Sequence, residues 1–162
     1  MKCEQVHLAA MFLKNYTSNV AVSKTIYRIE QTLIKCRVNG ITKEYSPTGQ
    51  IAALFFQIPG NDGMTHNVRL PADSEGVLNA LWENYCKTTP RRRKNKSDFL
   101  EQAGRTAWKI MQDWVEVQMS LIQLKQADPL QVFLSYVWDG KQTFYHALRA
   151  NNFKALIPEK TA

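Results

Sequence analysis

The sequence predicts an α+β protein in which a small antiparallel three-stranded sheet with helices on one face is followed by a helical C-terminal half around one long helix. Three observations lead there. Apolar residues recur at helical spacing on both sides of the chain's middle, the middle holds three β-rich runs separated by turn residues, and no internal repeat is visible. With 162 residues, 44% of them hydrophobic, and only seven Gly and six Pro, the chain is expected to form a single packed domain over residues 1–162.

Residues 1–22 read as an N-terminal extension of open structure. Val6, Leu8, Met11 and Phe12 give only weak helical spacing before the turn-forming run TSNVAVS. Ser23 is a cap candidate for a helix over about 24–37, because Ile26, Ile29, Leu33 and Cys36 line one face, and Asn39-Gly40 offers a left-handed stop. Strands are predicted over 41–45, 50–58 and 64–70. The separators SPTG and PGNDG are short and turn-rich, which implies an antiparallel meander. IAALFFQI is apolar on both alternating faces and should be central. The third strand puts Met64, His66, Val68 and Leu70 on one side and Thr65, Asn67 and Arg69 on the other, so it should be half exposed.

After Pro71, either Asp73 or Ser74 can cap a helix through about residue 85, with Val77, Leu78, Leu81 and Trp82 facing inward. Ser97 and Asp98 then open the longest element, predicted over 98–126 and so about 45 Å long. Its apolar side chains, among them Ala103, Trp108, Val115, Val117, Met119 and Leu124, cover an arc of roughly 220°, wider than the usual stripe. Such an arc needs cover on two sides, from its own chain or from a second copy, so a homo-oligomer through this helix is an expected partner. The remaining sector, with Gln102, Arg105, Lys109, Gln112, Asp113, Glu116 and Ser120, reads as a solvated face on which Lys109 pairs with a carboxylate. Asp128-Pro129 starts a short helix that Asp139-Gly140 ends, a last helix covers about 142–150, and the tail 158–162 is expected to fray.

Positive charge is local. The net charge of +7 arises from 21 basic and 14 acidic residues, and KTTPRRRKNK alone holds Lys87, Arg91, Arg92, Arg93, Lys94 and Lys96. Without those six the chain carries +1. Like charges repel and Pro90 blocks helix, so residues 87–97 are predicted to be an exposed, flexible basic loop. Three uses fit it: a solvated connector, an acidic protein surface, or nucleic acid, whose phosphates Arg and Lys neutralise with little sequence choice. Tyr85 and Phe99, nearest the loop ends, are the candidates for stacking on bases. These eight residues make up the predicted site, with single-stranded and duplex nucleic acid both open.

No reaction is disclosed. Three cysteines at wide spacing fit neither a disulfide framework nor a paired zinc motif, and His7, His66 and His146 are scattered, so no metal and no cofactor is expected. P-loop, GxGxxG, GxSxG and HExxH patterns are absent. Cys86 beside Lys87 and His66 on a strand face read as structural residues before they read as a nucleophile or a base. The apolar stretch Val6 to Leu13 is broken by His7 and far short of the roughly 20 residues of a bilayer span, so neither membrane nor secretion is expected, and a reducing cytoplasm is the predicted location.

The runs TSNVAVSKTIYRIEQTLIKC and RTAWKIMQDWVEVQMSLIQL, with VRLP between them and FLSYV after, resemble a family of small phage, prophage and bacterial proteins without assigned activity. The resemblance covers about residues 17–138. It implies a mobile-element origin, where DNA handling and antagonism of host defence are common roles, and it carries no catalytic residues. The expectation is a small non-enzymatic nucleic-acid-binding protein of phage type. The alternative is a phage-encoded inhibitor or anti-defence protein that binds a host nucleic-acid enzyme.

Overall fold

The computed structural model describes residues 13–91 and 93–156. The helical spacing of Val6 to Phe12, Cys3, His7, Arg92 and the tail 158–162 lie outside the described residues. Element order is α1 (Val22–Lys35), β1 (Asn39–Tyr45), β2 (Ile51–Pro59), β3 (Thr65–Pro71), α2 (Ser74–Thr88), a 3-10 turn (Lys96–Phe99), α3 (Leu100–Gln123), α4 (Pro129–Phe133) and α5 (Phe144–Ala150). The fold class is α+β, as predicted. No described helix is long and apolar enough to cross a membrane. By their contacts the residues form two compact units. One takes in the residues up to Gln31 with Ala72–Val117, and the other Thr32–Pro71 with those from Gln118 on, so α1 and α3 contribute to both.

The sheet belongs to the second unit. Its order is β1-β2-β3, all antiparallel, with the doubly apolar β2 in the centre. Leu54 pairs with Leu70 and Phe56 with Val68, so these four side chains and Ile58 share one pleat face, and all are buried. Phe133 of α4 packs edge-on against Phe56 from that side, ring centroids 5.1 Å apart. The far edge of β3 is closed by the chain itself: Val137 bridges Val68, and the Trp138 N–H donates to the Asn67 carbonyl at 2.7 Å. Asp139 then accepts from the N–H groups of Lys141 and Gln142, and Trp138 pairs back with Thr143. Asp139-Gly140 thus makes a small hairpin turn, and α5 starts at Phe144, capped by Thr143, not at residue 142.

Two predicted helix ends move for the same reason. Arg37, not Asn39-Gly40, takes the left-handed stop of α1 (φ 60°), and the Val38 N–H reaches back to the Leu33 carbonyl. Gly40 (φ 58°) instead lies in β1 at the register shift between Asn39 and Thr42, where a bulge uses a positive φ that glycine adopts freely. Likewise α3 ends at Gln123 because Lys125 is left-handed (φ 58°) and the Gln126 N–H returns to the Leu121 carbonyl. The helix is therefore about 36 Å long, shorter than predicted. At its start, α1 begins two residues earlier than expected, at Val22, with Ser23 inside its first turn.

In the first unit Val77 and Leu81 of α2 and Ala103 and Ala107 of α3 form a buried cluster, with Leu13, Leu78 and Phe99 against it. Asp73 is the α2 cap, accepting from the Gly76 N–H at 2.8 Å. The predicted solvated sector of α3 is solvated only in part: Glu116 and Ser120 are exposed, whereas Gln102, Arg105, Lys109 and Asp113 are half-buried and Gln112 is buried. The turn at residues 14–18 lies along it: Gln102 donates to the carbonyls of Tyr16 and Ser18, Thr106 to the carbonyl of Asn15, and Asn15 to Asp113. Gln112 is only 3% exposed, whereas Val117, from the apolar arc, is 57% exposed. Lys109 does pair with Asp113, as expected, at 2.9 Å. Gln102 and Thr106 have turn carbonyls in place of water as acceptors, and Gln112 donates to Glu116 on its own helix, which a projection of polarity alone does not distinguish.

Candidate nucleic-acid interface

The predicted basic loop is shorter and more ordered in its attachments than its charge suggests. α2 continues to Thr88, one turn past the expected end, so Lys87 stands on a helix and not in the loop. Its ammonium meets Glu83 one turn back at 2.7 Å, an orientation that supports a last turn. Thr89, held extended before Pro90, ends the helix with its N–H on the Tyr85 carbonyl. The 3-10 turn then opens at Lys96, and the Asp98 carboxylate accepts from the Asn95 N–H at 2.7 Å. The irregular segment is residues 89–91 and 93–95.

Tyr85 organises this segment. Its hydroxyl oxygen accepts from two successive backbone N–H groups, Arg93 at 2.9 Å and Lys94 at 3.2 Å. Its ring, half-buried, lies between Trp82 and Phe99, with centroids 5.8 and 5.2 Å away. Phe99 also contacts Trp82, and the Lys94 ammonium stands 5.6 Å above its ring. Lys96 donates to the side-chain oxygen of Asn79 on α2 at 2.5 Å. The segment is therefore tied to α2 at two points, through Tyr85 and through Asn79.

This attachment leaves the charge outward. Arg91, Arg93, Lys94 and Lys96 are all exposed, and among the described residues none of the four pairs with a carboxylate. Lys87 is the exception, matched by Glu83. Of the predicted set, the structure brings Tyr85, Phe99, Arg93, Lys94 and Lys96 together around the aromatic trio, with Arg91 just before them. Sequence reasoning missed Asn79, Trp82's ring contacts and the hydroxyl of Tyr85 as anchors. The i, i+3 spacing of Trp82 and Tyr85 was the available signal, and nothing in the sequence pointed to Asn79.

Elsewhere, the described residues hold no group of three or more His, Cys, Asp or Glu that could bind a metal. His66 is half-buried and its Nε2 meets Asp62 at 3.0 Å in the β2–β3 turn. Hydrogen bonding from the Met64 N–H, followed by the His66 contact, holds the Asp62 carboxyl below its ordinary range. A Cβ on Gly60 would fall 2.3 Å from the Asp62 carboxylate and 2.6 Å from His66 Nε2, so a side chain there would displace this pair. Cys36 and Cys86 are both half-buried thiols, and burial pushes the Cys36 thiol up. A second cation site was also missed. Arg69 lies beside the edge-to-face pair of Phe55 and Trp138, 5.8 and 5.5 Å from their ring centroids, with two guanidinium nitrogens on Glu44.

No protein-family model matches the chain, and no curated protein or solved structure does either, so the interface is defined by its own geometry.

Proposed function

We propose that the chain is a small non-enzymatic nucleic-acid-binding protein that contacts phosphates through residues 91–96, in keeping with the mobile-element resemblance of its sequence. One observation carries this reading: four exposed cations, Arg91, Arg93, Lys94 and Lys96, lie on a short segment with no acidic partner among the described residues, while its backbone is fastened to α2. Exposed guanidinium and ammonium groups that no carboxylate neutralises keep their charge for an external anion, and fastening of the backbone lowers the entropy lost when they engage it. A phosphodiester backbone supplies such anions at close, regular spacing.

The test is binding of labelled oligonucleotides by anisotropy at low salt, comparing the parent with the combined variant Arg91→Ala, Arg93→Ala, Lys94→Ala, Lys96→Ala. A loss of at least about tenfold in affinity is expected, since each contact adds to a steep salt dependence. Equal binding by parent and variant refutes the proposal. An acidic surface of a host protein, the other partner that suits these cations, is then what remains for them to engage.

A further inference from the structure

We infer that the partner of this segment is a double helix, DNA or RNA, bound by its phosphates, and not an unpaired strand held by base stacking. The inference rests on the proposal that residues 91–96 bind phosphate. Proteins that prefer single strands present free aromatic faces, each stacked base contributing about 1–3 kcal/mol, and so offset the lower charge density of one strand. Here the two rings nearest the cations are already engaged. Tyr85 is flanked by Trp82 and Phe99, its hydroxyl oxygen accepts two backbone N–H groups, and Phe99 carries the Lys94 ammonium over its face. Both side chains are half-buried. Two neutral polar groups beside the segment are engaged within the chain as well: Thr88 donates to the Asn84 carbonyl, and Asn79 accepts from Lys96. The four cations, in contrast, are exposed.

Charge alone favours the denser polyanion. A duplex carries one phosphate per about 1.7 Å of axis, and neutralising each releases about 0.9 counterion, against about 0.7 on a single strand. Four unpaired cations therefore set a log–log salt slope of roughly −4 on a duplex and roughly −3 on a single strand. With no base contacts, discrimination among sequences should be slight.

Anisotropy titrations against duplex DNA, duplex RNA and single-stranded DNA of one length and mixed sequence, at several salt concentrations, decide it. Expected are duplex affinities within about threefold of each other, both at least about fivefold above the single strand, and a duplex slope near −4 that falls by roughly two in Arg91→Ala, Arg93→Ala. The variant Phe99→Leu, checked for folding by circular dichroism, should alter the ratio of duplex to single-strand affinity by less than twofold. Tighter binding of the single strand, lost selectively in Phe99→Leu, overturns the duplex inference and leaves the phosphate reading standing. Duplex affinities more than about threefold apart overturn it too. Absence of binding to all three overturns both.

Discussion

Asn15 donates its side-chain amide to the Asp113 carboxylate at 2.9 Å, joining positions 98 residues apart. Lys14 and Lys109 reach the same carboxylate, each at 2.9 Å. Partial burial pushes the Asp113 carboxyl up, but hydrogen bonds from Lys109, Asn15 and Lys14 outweigh it and bring the pKa down to about 2. The folded value lies below the unfolded one, so the stabilisation is complete above about pH 4 and drains away as the pH falls toward 2. Asp113→Asn should cost roughly 2 kcal/mol at pH 7, and the gap to the parent should narrow toward pH 2. Urea unfolding at pH 7, 4 and 2.5 measures this. A gap of constant size across that series would mean that Asp113 does not contribute through its charge.

Tyr85 is expected to be a positioning residue for the loop. Tyr85→Phe keeps the ring between Trp82 and Phe99 but leaves the N–H groups of Arg93 and Lys94 without their acceptor. Because that segment is exposed, water replaces the bond and stability should fall by no more than about 1 kcal/mol. Amide hydrogen exchange at Arg93 and Lys94 should accelerate clearly, by about fivefold or more, while exchange in the core of α2 stays unchanged. Unaltered exchange at both amides would remove Tyr85 from this role.

Much of the fold was legible because it rests on periodicity. The alternation through β2 and β3 placed Val68 and Leu70 on the buried face, and Asp73 and Asp128 capped the helices they were expected to cap. What escaped depends on long-range pairing. Nothing local marks Asn15 as the partner of a helix 98 residues on, and the arithmetic that set Gln102 toward solvent could not know that the carbonyls of Tyr16 and Ser18 would replace water beside it. The left-handed stops at Arg37 and Lys125 were missed because a non-glycine residue accepts that conformation only when the surrounding chain holds it there. At the interface the cations were evident from composition, whereas their fastening by Tyr85 and Asn79 was a product of where α2 ends.

Arg69 shows why lysine would not serve in its place. The guanidinium lies over both rings of the Phe55–Trp138 edge-to-face pair, 5.8 and 5.5 Å from their centroids, and sends both Nε and Nη2 to Glu44, at 3.0 and 2.9 Å. A planar fork can stack and pair at once, and an ammonium cannot. Arg69→Lys should therefore cost about 1 kcal/mol, most of it from lost stacking because Glu44 is substantially exposed and its ion pair screened. Chemical denaturation with tryptophan emission measures both the loss and the altered setting of Trp138. A neutral result would show the two cation–ring contacts to be without energetic consequence.

Phe133 tests the joint between α4 and the sheet. It is fully buried, its ring meets Phe56 at 80°, and both lie over the face that Leu54, Val68 and Leu70 complete. Phe133→Ala removes a whole ring from a close-packed site, for which about 3–5 kcal/mol is the usual cost. Phe133→Leu keeps most of the volume and loses the edge-to-face contact, so about 1–2 kcal/mol is expected. The cations proposed to hold phosphate, Arg91, Arg93, Lys94 and Lys96, belong to the other compact unit. If the two units unfold as one, both variants lower a single thermal transition and oligonucleotide binding is lost at that same lower temperature. If they unfold separately, Phe133→Ala splits the transition and binding persists past the first step. Calorimetry read alongside anisotropy separates these outcomes, and a Phe133→Ala protein as stable as the parent would contradict the packing of Phe133 against Phe56 altogether.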